Sequence, residues 1–499
     1  MSEPNGATYA VDYVATAPPR HLAHDELLVV AVTVTNTGTA AWPDADGVPI
    51  NLGYHWVDGA GQMVAFDGQR TPLGQRVLPG ASVTVGLRVL PPESAGEYRL
   101  QVDMVKESVA WLSWQGVAML EFPITVVAAA PRPRVCLINA SCTLGDAIGN
   151  NLREKVRFFR ARGYAVDVLV EAFDQRLPLD EQAFFTVIRY DDLLSGGATP
   201  EQQRAVRHFY RADLLIFDYP TYYPLIEAIR LASTGTVFFD YHGVTPPALW
   251  GDPSTVEVMR AGERQVQLVG YADYAIAHSH FTANELAATG MIAPSRISML
   301  SYVVPMQEFR PHARNAALVA RYGLAGQRVL LYVGRMARNK RINDLVRALA
   351  LVREHVPNTT LVLVGDTKGR FYAPVVAEAQ ALAQQLGCAS QLVFAGKVAQ
   401  HELAAHYQSA DVFVTASLHE GFCIPVIEAM ACGLPVVATH ATALPETVGP
   451  GGLTFAPQSP TALAAHIVRL FAAAPEHDSA PPSLVAHSMD HINLDHTNV

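Results

Sequence analysis

The chain has 499 residues, enough for two or three domains that each bury a core. With 36 basic against 46 acidic side chains its net charge is −10, which argues against a nucleic-acid binder that works by neutralising phosphates. No apolar run approaches the ~18 residues of a transmembrane helix. The start, Met1 to Gly6, is polar and lacks a signal-peptide core. Five cysteines (Cys136, Cys142, Cys388, Cys423 and Cys432) are odd in number and lack metal or framework spacing, so a cytoplasmic protein is expected.

Residues 1–128 read as all-β. Apolar, β-branched runs at 27–35, 83–89 and 98–105 are separated by the turn signals Asn36-Thr37-Gly38, Asp58-Gly59, Pro79-Gly80 and Pro91-Pro92. Short strands at this spacing predict an antiparallel sandwich. Asn36-Thr37-Gly38, Ala41-Trp42-Pro43 and Gly53-Tyr54-His55-Trp56 resemble the immunoglobulin-like modules attached to some bacterial carbohydrate enzymes. Trp42, Trp56, Trp111 and Trp114 admit two readings, a sugar-stacking platform or filling of the sandwich core or a domain interface, and the second is preferred. Residues 128–134, Ala-Ala-Ala-Pro-Arg-Pro-Arg, form a proline-stiffened linker.

Residues 132–308 begin a Rossmann-like unit. Val135 to Asn139 reads as its first strand, and Gly145 to Asn150, with Asp146 and Gly149, as the turn into a helix ending near Arg162. Glycine there lets the backbone approach a ligand. The loop is not Gly-x-Gly-x-x-Gly, so a nicotinamide cofactor is poorly supported. The helix carries Arg153, Lys155, Arg157 and Arg160 on an acidic chain. A solvated polar face with Phe158 or Phe159 in the core is the simpler account, and peripheral contact with an anionic membrane the sharper one. Further on, Thr236 to Tyr241 is a buried strand with His242-Gly243 just beyond it. His278 and His280 follow another strand and are read as supporting or surface groups.

The region 309–473 alternates strands and helices. Val329 to Val333 leads into Gly334-Arg335 and Lys340, and Thr360 to Val364 leads into Gly365-Asp366. Leu392 to Gly396 precedes Lys397-Val398, and runs 411–415 and 435–439 complete the pattern. Such alternation predicts a parallel doubly wound sheet with ligands at the strand C-termini. Between the last two runs stands His419-Glu420-Gly421-Phe422-Cys423-Ile424-Pro425-Val426-Ile427-Glu428. Pro425 suits the first turn of a helix. Glu420 then lies in the loop before it and Glu428 about one turn inside. A helix N-terminus seats phosphate, and two carboxylates take hydroxyls, which together suit a sugar nucleotide. Lys340 offers phosphate a point charge and Arg335 a fork of donors.

Gly334-Arg335 with Lys340, Gly396-Lys397-Val398, Ala410 to Phe413, the Glu420 to Glu428 segment, Ala431 to Val437 and Leu444-Pro445-Glu446 together resemble retaining glycosyltransferases of family 4. The detailed likeness covers 329–470, and a looser one 134–310. The resemblance implies two Rossmann-like domains facing across a cleft (the GT-B fold), behind the sandwich, with a hinge near Pro305–Pro311. It implies transfer of a hexose, with retention, from a nucleotide-diphosphate sugar to a saccharide or glycolipid acceptor, with no cofactor and no metal. In that scheme Arg335 and Lys340 stabilise the departing diphosphate. Glu428 holds the ribose, Glu420 the sugar hydroxyls, and the backbone at Gly421, Phe422 and Cys423, with Gly334, cradles the phosphates. Lys397 and Val398 meet the base, Asp146 and Gly149 lie on the acceptor side, and His242 contacts the transferred sugar. Retention is expected by same-face attack, the leaving phosphate taking the acceptor's proton, rather than by double displacement.

Two features depart from the family pattern. Cys423 stands where many relatives carry glycine. The helical pattern ends near Phe471 instead of continuing into a long bracing helix, and 474–499 is a Pro-, Ser-, His- and Asp-rich tail for which disorder is expected. The competing class is therefore a non-catalytic nucleotide-sugar or glycan-binding protein, with a nicotinamide dehydrogenase a distant third.

Overall fold

The computed structural model of the protein describes residues 9–250, 255–302, 304 and 307–473. The expected tail at 474–499 and part of the expected hinge lie outside the described residues. Contacts divide the chain into two compact units. One comprises residues up to 144 with 152–216 and 224–236, the other 145–151, 217–223 and 237 onward.

Among the described residues the N-terminal part holds ten strands: β1 (Val11–Ala15), β2 (His21–Ala23), β3 (Leu28–Asn36), β4 (Ile50–Asp58), β5 (Met63–Ala65), β6 (Thr71–Pro72), β7 (Ser82–Val89), β8 (Gly96–Lys106), β9 (Ala110–Trp111) and β10 (Leu120–Val127). They form a sheet of order β1-β3-β7 and a second of order β2-β10-β8-β4-β5, with β6 on β4 and β9 on β8. Pairing is antiparallel except between β2 and β10. The period of two sends Val30, Val32 and Val34 of β3, Leu52, Tyr54 and Trp56 of β4, and Leu100, Val102 and Met104 of β8 into one core. Trp42 and Trp56 are wholly inside it. Trp111 is also buried, whereas Trp114 is not.

In the same unit an ion-pair network ties β7 to the α/β segment that follows. Arg88 donates to both carboxylate oxygens of Glu201 and to the backbone oxygens of Gln182 (2.9 Å) and Phe185 (2.6 Å), while Gln69 donates to Glu201 (2.6 Å). The two charges are largely buried, so each depends on the other.

Seven strands follow: β11 (Arg134–Cys142), β12 (Ala165–Phe173), β13 (Phe185–Val187), β14 (Leu214–Tyr219), β15 (Thr236–Tyr241), β16 (Tyr274–Ala277) and β17 (Ile297–Met299), in the sheet order β13-β12-β11-β14-β15-β16-β17. Six more, β18 (Arg328–Val333), β19 (Thr359–Val364), β20 (Leu392–Gly396), β21 (Val412–Thr415), β22 (Val436–Thr439) and β23 (Leu453–Phe455), are ordered β20-β19-β18-β21-β22-β23. The β18–β23 pairs are all parallel. Both orders step outward from the first strand and resume on its other side, the doubly wound topology. The short sixth strand β23 escapes the sequence because three residues carry no period. The β18–β23 sheet is covered on both faces, one cluster running through Leu345, Leu349 and Ile467, the other through Phe413, Val426 and Leu444. Burial on both faces explains its continuous apolar runs. No helix among the described residues is long and apolar enough to cross a membrane.

Candidate functional site

The carboxyl ends of β18, β19 and β20 all finish in glycine, and the backbone closes there. Gly334 N–H donates to Val364 O (2.9 Å) and Gly365 N–H to Gly396 O (3.0 Å). A Cβ on Gly365 would stand 1.9 Å from Gly334 O, so only glycine fits. The chain then turns through Arg338–Lys340, which presents the Lys340 ammonium to Glu420 Oε1 at 2.6 Å. Both side chains are mostly buried. Arg335 does not join that pair. Its exposed guanidinium lies over the Trp250 ring, 5.5 Å from the centroid.

The Glu420 to Glu428 segment has the predicted form. Helix Ile424–Ala431 starts one residue before Pro425 and carries Glu428 on its inner face. Tyr407 donates its hydroxyl to Glu428 Oε2 at 2.6 Å. Burial pushes the Glu428 carboxyl up to about 7, against the Tyr407 hydrogen bond that lowers it. Gly421 is fixed by contact: a Cβ there would stand 2.0 Å from His242 O, and Ser279 Oγ donates to Gly421 O at 2.6 Å. Glu420 N–H donates to Thr442 Oγ1 (2.9 Å), and Thr447 Oγ1 to Phe422 O (2.5 Å). Cys423 has φ of +80°, in the left-handed region. That conformation favours glycine, and here a residue with a side chain is held in it.

His242 follows β15, with Gly243 packed on Gly421. Its Nε2 is 3.1 Å from Asp218 Oδ1, and its Nδ1 meets the Tyr302 hydroxyl. Beneath it His278 stacks at 4.9 Å, with Nδ1 on Leu300 O (2.7 Å) and Nε2 on Asp240 Oδ1 (2.7 Å). Tyr302 lies flat on His278 at 3.9 Å and touches Phe422 at 5.4 Å. Burial, reinforced by the carboxylates of Asp240, Asp218 and Asp146, holds the Tyr302 phenol well above its ordinary range, so it keeps its proton and donates to Nδ1. Asp240, His242 and His278 have spacing that a metal could use. Hydrogen bonds already account for all four ring nitrogens, however, so the trio fits a hydrogen-bond network better than a ligand set.

The remaining predicted residues divide. Asp146 Oδ2 accepts from Gly149 N–H at 3.2 Å and so caps the helix Ala147–Ala161, a structural duty for both residues. Lys397 is exposed and reaches that loop, for a Cβ on Gly145 would lie 3.1 Å from Lys397 Cε, and Val398 packs against the core. Glu446 accepts from the backbone of His280 (2.8 Å) and Phe281 (3.0 Å) and caps their helix, while His280 itself is exposed. On the basic helix, Arg153 and Arg157 are paired with Glu181 and Arg160 lies over Phe184, so much of its charge is met by neighbours. Sequence reasoning missed Asp218, Tyr302 and Tyr407. A polar residue at the end of β14 was the available signal for Asp218. Nothing in the pattern marked the other two.

The fold is that of known GT-B glycosyltransferases. Sucrose-phosphate synthase from Thermosynechococcus elongatus superposes with TM-score 0.55 at 23% identity, over 68% of this chain and 90% of that one. Anabaena HepE, solved with UDP and glucose, does so with TM-score 0.56 at 20% identity, over 68% and 90%. Residues 327–473 match the family model for glycosyl transferases group 1. Among curated relatives, D-inositol 3-phosphate glycosyltransferase of Nocardiopsis dassonvillei is 33% identical over 243 residues, 46% of this chain and 56% of that protein. The GDP-mannose-dependent alpha-(1-6)-phosphatidylinositol monomannoside mannosyltransferase of Mycolicibacterium smegmatis is 39% identical over 145 residues, 28% and 36%. The chain thus spans about half or less of the length of these relatives. The family model and the relatives agree with the resemblance read from the sequence, at the level of glycosyl transferases group 1.

Proposed function

We propose that the protein is a retaining glycosyltransferase that moves a hexose from a nucleotide-diphosphate sugar to a saccharide or glycolipid acceptor without a divalent metal. The observation that carries this reading is the Lys340–Glu420 pair set beside the Gly421-Phe422-Cys423 turn at the start of the Glu428 helix. An ammonium and a helix N-terminus stabilise negative charge on a departing diphosphate. Glu420, already oriented by Lys340, takes sugar hydroxyls, and Glu428 the ribose. Arg335 serves once it leaves Trp250. Lys397 and Val398 flank the base, Asp146 and Gly149 shape the acceptor side, and His242, locked by Asp218, orients the sugar. The attack is same-face, with the leaving phosphate taking the acceptor's proton. The N-terminal sheets are read as an immunoglobulin-like module. The protein is read as acting in the cytoplasm, with peripheral contact at the inner face of the membrane.

Proton NMR of a transfer reaction run with EDTA tests both finer points. An α-linked product from an α-linked donor at an undiminished rate supports the reading. Inversion, or loss of activity restored by a divalent cation, overturns it. A second reading, a non-catalytic nucleotide-sugar or glycan-binding protein, draws on one observation: both nitrogens of His242 are engaged within the protein and its side chain is buried. Donor binding without hydrolysis or transfer across a broad acceptor panel would favour it.

A further inference from the structure

The outward face of the sheet β2-β10-β8-β4-β5 is not an ordinary solvated face. The residues that alternate with its core positions include His55 and Asp103, and both are buried. They lie under a cover made by residues 66–70 and 110–115. Trp111 lies over β4 at Gly53, where a Cβ would stand 2.7 Å from its ring. His55 meets Trp111 at 4.2 Å and Phe66 at 5.0 Å. Above them Trp114 runs parallel to Phe66, 6.0 Å away with 15° between the planes. Trp114 is 66% exposed and Phe66 43%.

Polar groups border these rings. The Arg70 guanidinium stands 4.4 Å over Trp111, held by Asp67 Oδ1 at 2.6 Å and Glu107 Oε1 at 3.2 Å. Asn51 donates to Glu107 at 2.8 Å. A sheet face that needed only a cover would not bury an imidazole and a carboxylate and then leave an indole standing in water. Flat exposed rings present a surface to the C–H face of a pyranose. Planar carboxylate, guanidinium and amide groups pair with vicinal hydroxyls. The rim is not suited to an anionic lipid surface or to nucleic acid. Asp67 is 68% exposed, and within the cluster Arg70 alone stands against Asp67 and Glu107.

We propose that Trp114 and Phe66, with Arg70, Asp67 and Glu107, form a binding site for an uncharged saccharide chain. It goes beyond the transferase reading and does not rest on it, because the site is confined to the N-terminal sheets and its readout is binding alone.

The test is native affinity electrophoresis of the full chain in gels cast with mannan, galactan, dextran or no polysaccharide. Trp114→Ala changes a largely exposed ring and leaves the sheet intact, which circular dichroism checks. Arg70→Lys tests the fork of donors separately. The expected result is retardation by at least one polysaccharide, with an affinity loss of roughly tenfold in Trp114→Ala, the scale of one aromatic contact. Three results would each overturn the proposal. These are no retardation in any gel, retardation unchanged by Trp114→Ala, and Trp114-dependent cosedimentation with phosphatidylcholine vesicles without polysaccharide binding. Donor-sugar titration of the same preparations reports the transferase site independently.

Discussion

Glu428 couples protonation to stability in a way that can be measured. Its carboxyl is buried on the inner face of the helix Ile424–Ala431 and rises from an ordinary 4.5 to about 7. Below about 4.5 the group is protonated in both folded and unfolded chains, and its contribution to stability is fully present. As pH climbs toward 7 the unfolded chain loses the proton while the folded chain keeps it, so stability falls. A rise of this size corresponds to about 3 kcal/mol between pH 4.5 and 7. Glu428→Gln removes the titration and leaves an amide oxygen to accept from Tyr407, so its stability should lose that slope. Urea unfolding of both proteins between pH 4.5 and 8, followed by tyrosine and tryptophan fluorescence, gives the comparison. Curves that stay parallel across the range would refute the argument that burial governs this carboxyl. The same logic predicts that wild-type affinity for a nucleotide sugar increases as pH passes through about 7, when the carboxylate forms and accepts ribose hydroxyls.

Other consequences follow from single contacts. Gly421→Ala would set a methyl 2.0 Å from the backbone carbonyl oxygen of His242, and should lower stability by roughly 1–3 kcal/mol and donor affinity with it, as read by thermal unfolding with and without donor. Lys340→Met leaves Glu420 without its cation and removes a charge from the diphosphate, so kcat/KM should fall about 100-fold or more; a loss under threefold would remove Lys340 from the chemistry. Arg88→Ala strands buried Glu201 and should cost about 3–5 kcal/mol of the N-terminal unit's stability, seen as earlier proteolysis of that unit. His242→Ala with kcat and KM both unchanged would end its assignment to the sugar.

Much of the C-terminal site could be read in the sequence because backbone constraints leave residue-level marks. Pro425 announced a helix start, and Gly421 stands where a side chain would strike the His242 carbonyl. The glycines that end β18, β19 and β20 marked where three strands converge. The environment of His242 was not legible. Asp218 and Asp240 resemble any polar residue at a strand end, and Tyr302 sits in an irregular stretch without periodicity, so only three-dimensional packing brings them together. The tryptophans make the same point. Trp111 and Trp114 are three residues apart, yet a 3-10 turn at Leu112–Gln115 buries the first ring and leaves the second in solvent. Asp146 shows the limit from another side, since a residue at a ligand-facing helix start is also the type that caps a helix, and sequence alone does not separate the two duties.

Thermal unfolding of wild type and Glu428→Ala with UDP-, GDP- and ADP-sugars, without added metal, tests the central claim most directly. One donor at about 100 times its Kd should stabilise the wild type by about 2.7 kcal/mol and leave the variant unmoved. No response of the wild type to any donor, or equal stabilisation of both proteins, would contradict it.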